Sequence, residues 1–242
     1  MKFLLFWSYI LFVIHAKAQV DTIFVGQQFP GAHKLKSGKS QFVVYGMQNG
    51  VRQFWNFTSR EIRPLADMQW EIVMRIESIK GVQDHIATVD AGTLAPRRMV
   101  RKNSEGIEDY IFEGSVIQAN DKVVDNLKVG FRETWKYPFF NFETDFEILQ
   151  SIRWELNKHV VLPLYHPGGK SKPEFRHYKV VGEEALQLPD GRELVCWKVF
   201  FEDQSPTTFW IEKKGNQVIK QHSKIGSNFE AFKIRLYTTD TP

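Results

Sequence analysis

From Met68 to Glu77 apolar side chains recur at every second position: Met68, Trp70, Ile72, Met74 and Ile76 alternate with Gln69, Glu71, Val73, Arg75 and Glu77. A period of two gives a β-strand with one buried face, whereas a helix would scatter the same residues around its circumference. Burying those five side chains is worth on the order of 8 to 15 kcal/mol gross, so their common face must cover a core or a cavity. The alternation returns at Val195, Trp197, Val199 and Phe201, and again at Phe232, Ile234 and Leu236. Further strands are expected over 41–45, 51–58, 85–89, 97–102, 110–113, 116–119, 128–132 and 178–181. Turns are marked by Gln48-Asn49-Gly50, Asn103-Ser104-Glu105-Gly106, Pro189-Asp190-Gly191 and Lys214-Gly215-Asn216. Strands joined this way form a meander of antiparallel hairpins.

One segment has another period. Phe142, Phe146, Leu149 and Ile152 are spaced by four, three and three residues, a helical stripe. Thr144 with Glu147 predicts a capping box, so an amphipathic helix is expected over 144–154, packed on or across the sheet. The fold class is therefore mainly β: a curved antiparallel sheet, or half-open barrel, with one amphipathic helix. Aromatic residues make up 14% of the chain. That many rings suit either a filled core or a curved sheet around an apolar cavity. In the cavity reading the lining residues are Met68, Trp70, Ile72, Met74, Phe146, Leu149, Trp197 and Val199.

Lys2, the uncharged run 3–14 and Ala16-Lys17-Ala18 form a cleavable signal pattern. The run is shorter than the ~20 apolar residues of a membrane span. The expected organisation is a signal peptide 1–18, a loose lead-in within 19–40 and one β-rich domain over 41–242. No cysteine stands at the cleavage junction, so the expectation is a periplasmic protein that is neither a lipoprotein nor membrane-spanning. A single cysteine, Cys196, rules out an intramolecular disulfide; as the neighbour of Trp197 it should face the other way, half-buried. The formal charge of +4 falls to about +2 without Lys2 and Lys17, which does not point to nucleic acid. The basic run Arg97, Arg98, Arg101 and Lys102 reads as a solvated strand face.

The usual catalytic patterns fail. Gly169-Lys170-Ser171 has Leu164, and Gly38-Lys39-Ser40 has His33, where a phosphate loop needs glycine. His33, His85, His159, His166, His177 and His222 have no metal-site spacing, so no metal or cofactor is expected. There is no Gly-x-Ser-x-Gly elbow. Glu183 and Glu184 should point to opposite faces of a strand, and nothing links Asp90, Glu143, Asp145 and Asp203 to one another. The longest interior irregular stretch, "YHPGGKSKPEF", is a loop, and loops often carry function. Its Tyr165, His166, Gly168, Gly169 and Lys170 form a candidate site if His166 or His177 meets a carboxylate.

"YHPGGK", "YKVVGEE", "ELVCWKV" and "TFWIEKKGNQVIKQ", in this order, resemble an exported Bacteroidota family of unknown function, itself similar to the outer-membrane lipoprotein carrier (LolA-like) superfamily. "VDAGTLAPRRMV" resembles that family's segment in which an Asp introduces a Thr-Leu-x-Pro turn. The resemblance implies a half-closed antiparallel barrel around an apolar cavity, with Trp210, 213–216 and 218–220 in the superfamily's Trp-strand, turn and basic strand. It implies no catalytic residues. The leading expectation is a non-enzymatic binding or carrier module for a lipid or other apolar ligand. The alternatives are a structural or interaction protein with an envelope partner, and an enzyme acting on envelope glycans or lipids.

Overall fold

The computed structural model describes residues 20–188, 191–202 and 205–240. The expected signal peptide, Gln19, Pro189, Asp190 and Asp203 lie outside the described residues. The strands are β1 Val20–Thr22, β2 Gly38–Gln48, β3 Val51–Leu65, β4 Gln69–Ser78, β5 Gly81–Asp90, β6 Pro96–Asn103, β7 Gly106–Glu113 and β8 Val116–Ala119. They continue with β9 Arg132–Thr134, β10 Phe140–Asn141, β11 His159–Tyr165, β12 Glu174–Gln187, β13 Glu193–Phe201, β14 Thr207–Glu212, β15 Val218–Ile225 and β16 Phe229–Asp240. One sheet runs β1, β11 to β16 in order, then β2 to β9 in order, with β10 beside β11. Neighbours are antiparallel except for the short parallel pairs β1·β11 and β10·β11. β1 and β9 end the path without pairing to each other, so the sheet curves without closing into a barrel.

The turns carry the chemistry that hairpins require. Asn49 and Gly50 both have positive φ, 50° and 79°, in the two-residue loop between β2 and β3, as a primed turn needs. Asp90 Oδ1 accepts from Gly92 N at 3.0 Å, Thr93 N at 2.8 Å and Thr93 Oγ1 at 2.7 Å, building the Asp-introduced turn between β5 and β6. These bonds outweigh burial and hold Asp90 below the usual carboxylate range.

Cross-strand register orders the concave face into rows. Ile62, Ile72, Ala87, Met99, Tyr110 and Ala119 are successive partners from β3 to β8, an apolar row. Two residues along each strand, Arg60, Met74, His85, Arg101 and Glu108 are partners from β3 to β7, a row that is mostly charged or polar. Both rows lie under a covering segment: β10, a 3-10 turn Phe142–Thr144, the helix α1 Asp145–Gln150 and the following Ile152 and Trp154. Phe146, Ile148, Leu149 and Ile152 of this segment join one continuous core with Ile72, Tyr110, Tyr178, Val199 and Phe209.

Several expectations are corrected. Met68 is not on the strand's inward stripe; it sits at φ 55° in the turn between β3 and β4, 77% exposed. Residues 128–130 are turn, and the strand begins at Arg132. The helix is six residues, not 144–154, and the capping box does not form. Thr144 Oγ1 donates to Asn141 O, Asn141 caps Glu143 N instead, and Glu147 is drawn away to Arg60. β16 turns the expected face outward: Phe232 stacks on Tyr45 and His222, while Lys233 and Arg235 approach the rings of Phe146 and Phe42. Arg101 is not on a solvated face but points inward. The lead-in is docked, with Phe29 and Leu35 in the core and residues 38–40 already in β2. The apolar run at 159–165, not expected as a strand, is β11.

The hairpin β14–β15 closes on the covering segment. Asn216, at φ 59° in its turn, donates from Nδ2 to Gln150 O and, at 2.8 Å, to Ile152 O. Trp154 Nε1 donates to Leu149 O at 2.8 Å. Together they satisfy carbonyls that the C-terminus of a short helix leaves without partners.

Candidate functional site

Two features of the concave side hold chemistry. The first is a buried charged bracket at Glu143. His85 Nδ1 lies 3.1 Å from Glu143 Oε2, Arg101 Nη2 donates to Oε1 at 3.0 Å, and His166 Nε2 lies 3.5 Å from Oε1. These groups come from β5, β6 and the loop after β11, so one carboxylate ties the covering segment to three places. Burial alone would raise the Glu143 pKa. The His85 hydrogen bond and the charges of His85, His166 and Arg101 outweigh it and hold the carboxyl well below the usual range. His85 Nε2 is buried without a hydrogen-bond partner.

This is the meeting of His166 with a carboxylate that the enzymatic reading requires, while His177 pairs instead with His159 at 3.0 Å. The chemistry argues for fastening. A carboxylate engaged through both oxygens and held ionised is a poor proton donor. His166, 45% exposed, stacks on Phe142 at 6.1 Å. Tyr165 is in the core against Phe139, Lys170 is exposed, and Gly169 N donates to His166 O at 2.9 Å. Gly168 has φ +70°, and a Cβ there would fall 2.3 Å from Tyr110 Oη. The glycine therefore lets this loop close over the sheet.

The other carboxylates and the cysteine are structural. Glu183 pairs with Lys213 and Glu184 with Lys198. Cys196, fully buried rather than half-buried, packs with Trp210 and Ile219 in a separate cluster. Burial pushes its thiol up to about 12, the opposite of an activated nucleophile. No group of three or more His, Cys, Asp or Glu side chains is arranged to hold a metal ion among the described residues.

The second feature is a cleft of about 390 Å³ between the docked lead-in, α1 and the β14–β15 turn. Its apolar wall is Leu35, Phe42, Ile62 and Phe146. At its base Arg60 donates to both oxygens of Glu147, Nε to Oε1 at 3.0 Å and Nη2 to Oε2 at 2.5 Å, and also to Glu143 O at 2.8 Å. The guanidinium lies 4.9 Å from the Phe146 ring centroid. Arg235, also in the wall, donates to Val218 O at 3.4 Å and to Ser40 Oγ. Next to this base burial pushes Asp145 up to about 6, opposed by Arg60 and Lys233. Burial, reinforced by Arg60, pushes Lys233 down to about 8. A wider depression of about 710 Å³ beside β1 has its Lys158 paired with Asp21.

Of the residues expected to line a cavity, Phe146 alone lines this cleft. Ile72, Met74, Leu149 and Val199 are buried, Trp70 and Trp197 pack at the edge of the core, and Met68 lies apart in its turn. The cleft was not legible in the sequence, because its walls come from 33–42, 60–62, 146–150, 214–217 and 235. The hairpin at Thr208 to Gln221 reaches the cleft only at its turn, through Lys214, Gly215 and Gln217.

No curated protein sequence matches the chain. Among solved structures it is similar to a DUF1329 family protein from Desulfovibrio piger, with TM-score 0.34 and 8% identity, covering 86% of this chain and 87% of that one. It is similar to the hypothetical lipoprotein YmcC from Escherichia coli, with TM-score 0.29 and 13% identity, covering 89% and 91%. A LolA superfamily protein from Nitrosomonas europaea gives TM-score 0.20 and 8% identity over 89% and 90%. Scores this low carry nothing about ligand or activity. Residues 41–233, from β2 into β16, match the family described as protein of unknown function DUF3108, and the chain belongs to that family.

Proposed function

We propose that this protein is a non-enzymatic binding or carrier module of the periplasm, taking a lipid or other apolar ligand into the cleft beneath the lead-in. The observation that carries this reading is the cleft wall of Leu35, Phe42, Ile62 and Phe146, side chains from four separate places that face one space of about 390 Å³. That volume falls within the range of small-molecule sites, and a mostly preformed apolar wall with a few fixed polar groups is their common design. Support for export comes from the sequence pattern at Lys2, 3–14 and Ala16-Lys17-Ala18. Among the described residues no helix is long and apolar enough to cross a membrane.

Native mass spectrometry of protein purified from its own cells tests the proposal. A co-purified apolar ligand is expected, and Gln217→Trp, which fills the cleft from a half-buried wall position, should lose it at unchanged melting temperature. Retention of the ligand by that variant, or a wild type with no ligand and no affinity for an apolar fluorescent probe, would overturn the reading.

A second reading, an envelope structural or interaction protein, is favoured by the continuous core that fills the concave face. Crosslinking in the periplasm followed by capture should then recover a constant partner. Repeated recovery of none counts against it.

A further inference from the structure

We propose that the ligand of the cleft is an anionic amphiphile: an oxyanion head, phosphate or carboxylate, on an apolar chain. This rests on the binding-module reading and adds the class of ligand. Five basic side chains line the cleft, Lys34, Lys36, Arg60, Lys214 and Arg235, against the single carboxylate of Glu147. Arg60 and Glu147 neutralise each other at the base. Arg235 is engaged with Ser40 Oγ, Val218 O and the Phe42 ring, and the three lysines carry the charge at the mouth. Lys34, Lys36 and Lys214 are exposed and have no ion-pair partner among the described residues. The adjacent Lys213 takes Glu183 as its partner; Lys214 does not.

The three lysines come from two segments far apart in the chain, the lead-in and the β14–β15 turn, and meet at one mouth. Like charges brought together over a low-dielectric wall repel one another and focus a positive potential into the cleft. A bound anion relieves that repulsion. A neutral lipid leaves it in place. Lysines supply point charges on flexible stems, not the planar fork of arginine, so the site selects charge without demanding one oxyanion geometry. Beneath them Phe42 and Ile62 give the chain an apolar surface, so a bare anion meets only half of the site.

The test is displacement of an apolar fluorescent probe by four ligands: dodecyl phosphate, dodecanoate, dodecyl maltoside and inorganic phosphate. It is run on the wild type and on the variant Lys34→Gln, Lys36→Gln, Lys214→Gln, all exposed positions that leave the core intact. Dodecyl phosphate and dodecanoate should displace the probe, and the ratio of their affinities separates a lipid phosphate from a fatty acid as the source. The triple variant should weaken both by roughly 5- to 50-fold, three exposed charge contacts being lost. Raising salt from about 0.05 to about 0.5 M should weaken them in the wild type too, leaving dodecyl maltoside unchanged. Dodecyl maltoside binding as well as dodecyl phosphate, with no effect of the variant, overturns the anionic head and leaves the apolar site standing. Inorganic phosphate binding as tightly as dodecyl phosphate overturns the amphiphile. Failure of all four ligands, with no ligand co-purified, overturns the binding-module reading itself.

Discussion

Arg60 of β3 grips Glu147 of α1 through two hydrogen bonds, 3.0 and 2.5 Å long, with side-chain exposures of 4% and 1%. The pair spans 87 residues of sequence and joins the sheet to its covering segment. Burial would lower the arginine's pKa, and the charge and hydrogen bonds of Glu147 more than reverse this. Removing one partner of such a pair leaves a buried charge uncompensated. Glu147→Gln is therefore expected to cost about 3–5 kcal/mol. Replacing both residues by apolar side chains, Arg60→Met with Glu147→Leu, should recover most of it. Urea denaturation of the single and double variants measures the difference.

Asn216 holds the other end of the covering segment through Gln150 O and Ile152 O. Two changes separate its backbone from its side chain. Asn216→Gly keeps a residue suited to φ 59° and loses only the side-chain bonds, about 1–3 kcal/mol for buried carbonyls left unsatisfied. Asn216→Ala loses those bonds and adds left-handed strain, so it should be the less stable of the two. Thermal melts of both variants check the order.

Asp145 and Glu143 make opposite contributions to acid stability. The Asp145 pKa is raised from 3.8 to about 6, so its contribution is fully present below about pH 4 and is lost as pH rises through 6. Asp145→Asn should stabilise the protein near pH 8, by at most about 3 kcal/mol, with the advantage gone below about pH 4. Glu143 is shifted below its ordinary value, so its contribution is present above pH ~4.5 and is lost as pH falls further. Glu143→Gln should lower stability at neutral pH and flatten the acid limb. Denaturation midpoints from about pH 3 to 8 decide both signs.

Gly31 fixes the roof of the cleft. Its N–H donates to Ser151 O at 2.9 Å, and a Cβ would lie 2.6 Å from that backbone oxygen. Gly31→Ala should undock the lead-in, raising amide exchange over residues 29–36 and weakening probe binding, while exchange in β3 to β6 stays slow. Exchange mass spectrometry reads both regions at once.

The local links were legible before the fold was. Alternation at Trp70, Ile72 and Met74 and at Val199 and Phe201 marks strands that do face the core, and Asn49-Gly50 and Asp90 build the expected turns. The stripe Phe146, Leu149 and Ile152 correctly marks a core-facing segment even though the α-helix is short. At the candidate site little was legible. His166, the loop histidine, meets the Glu143 carboxylate from 23 positions away, and Lys34 and Lys214 line one cleft from opposite ends of the sequence.

Sequence alone determined the period of many of the strands, several of the turns and the family to which the chain belongs, because these depend on neighbouring residues and on residue type. Tertiary structure decided which face of each strand points inward. A period of two defines two faces and is silent about which one the sheet's curvature encloses. On β16 the enclosed face carries Lys233 and Arg235, whose aromatic and polar neighbours come from α1, β2 and β15. The bracket at Glu143 and the cationic cleft were decided in the same way. At the bracket, charges far apart in sequence meet because the curved sheet and its cover bring them within a few ångströms, where burial strengthens their interaction.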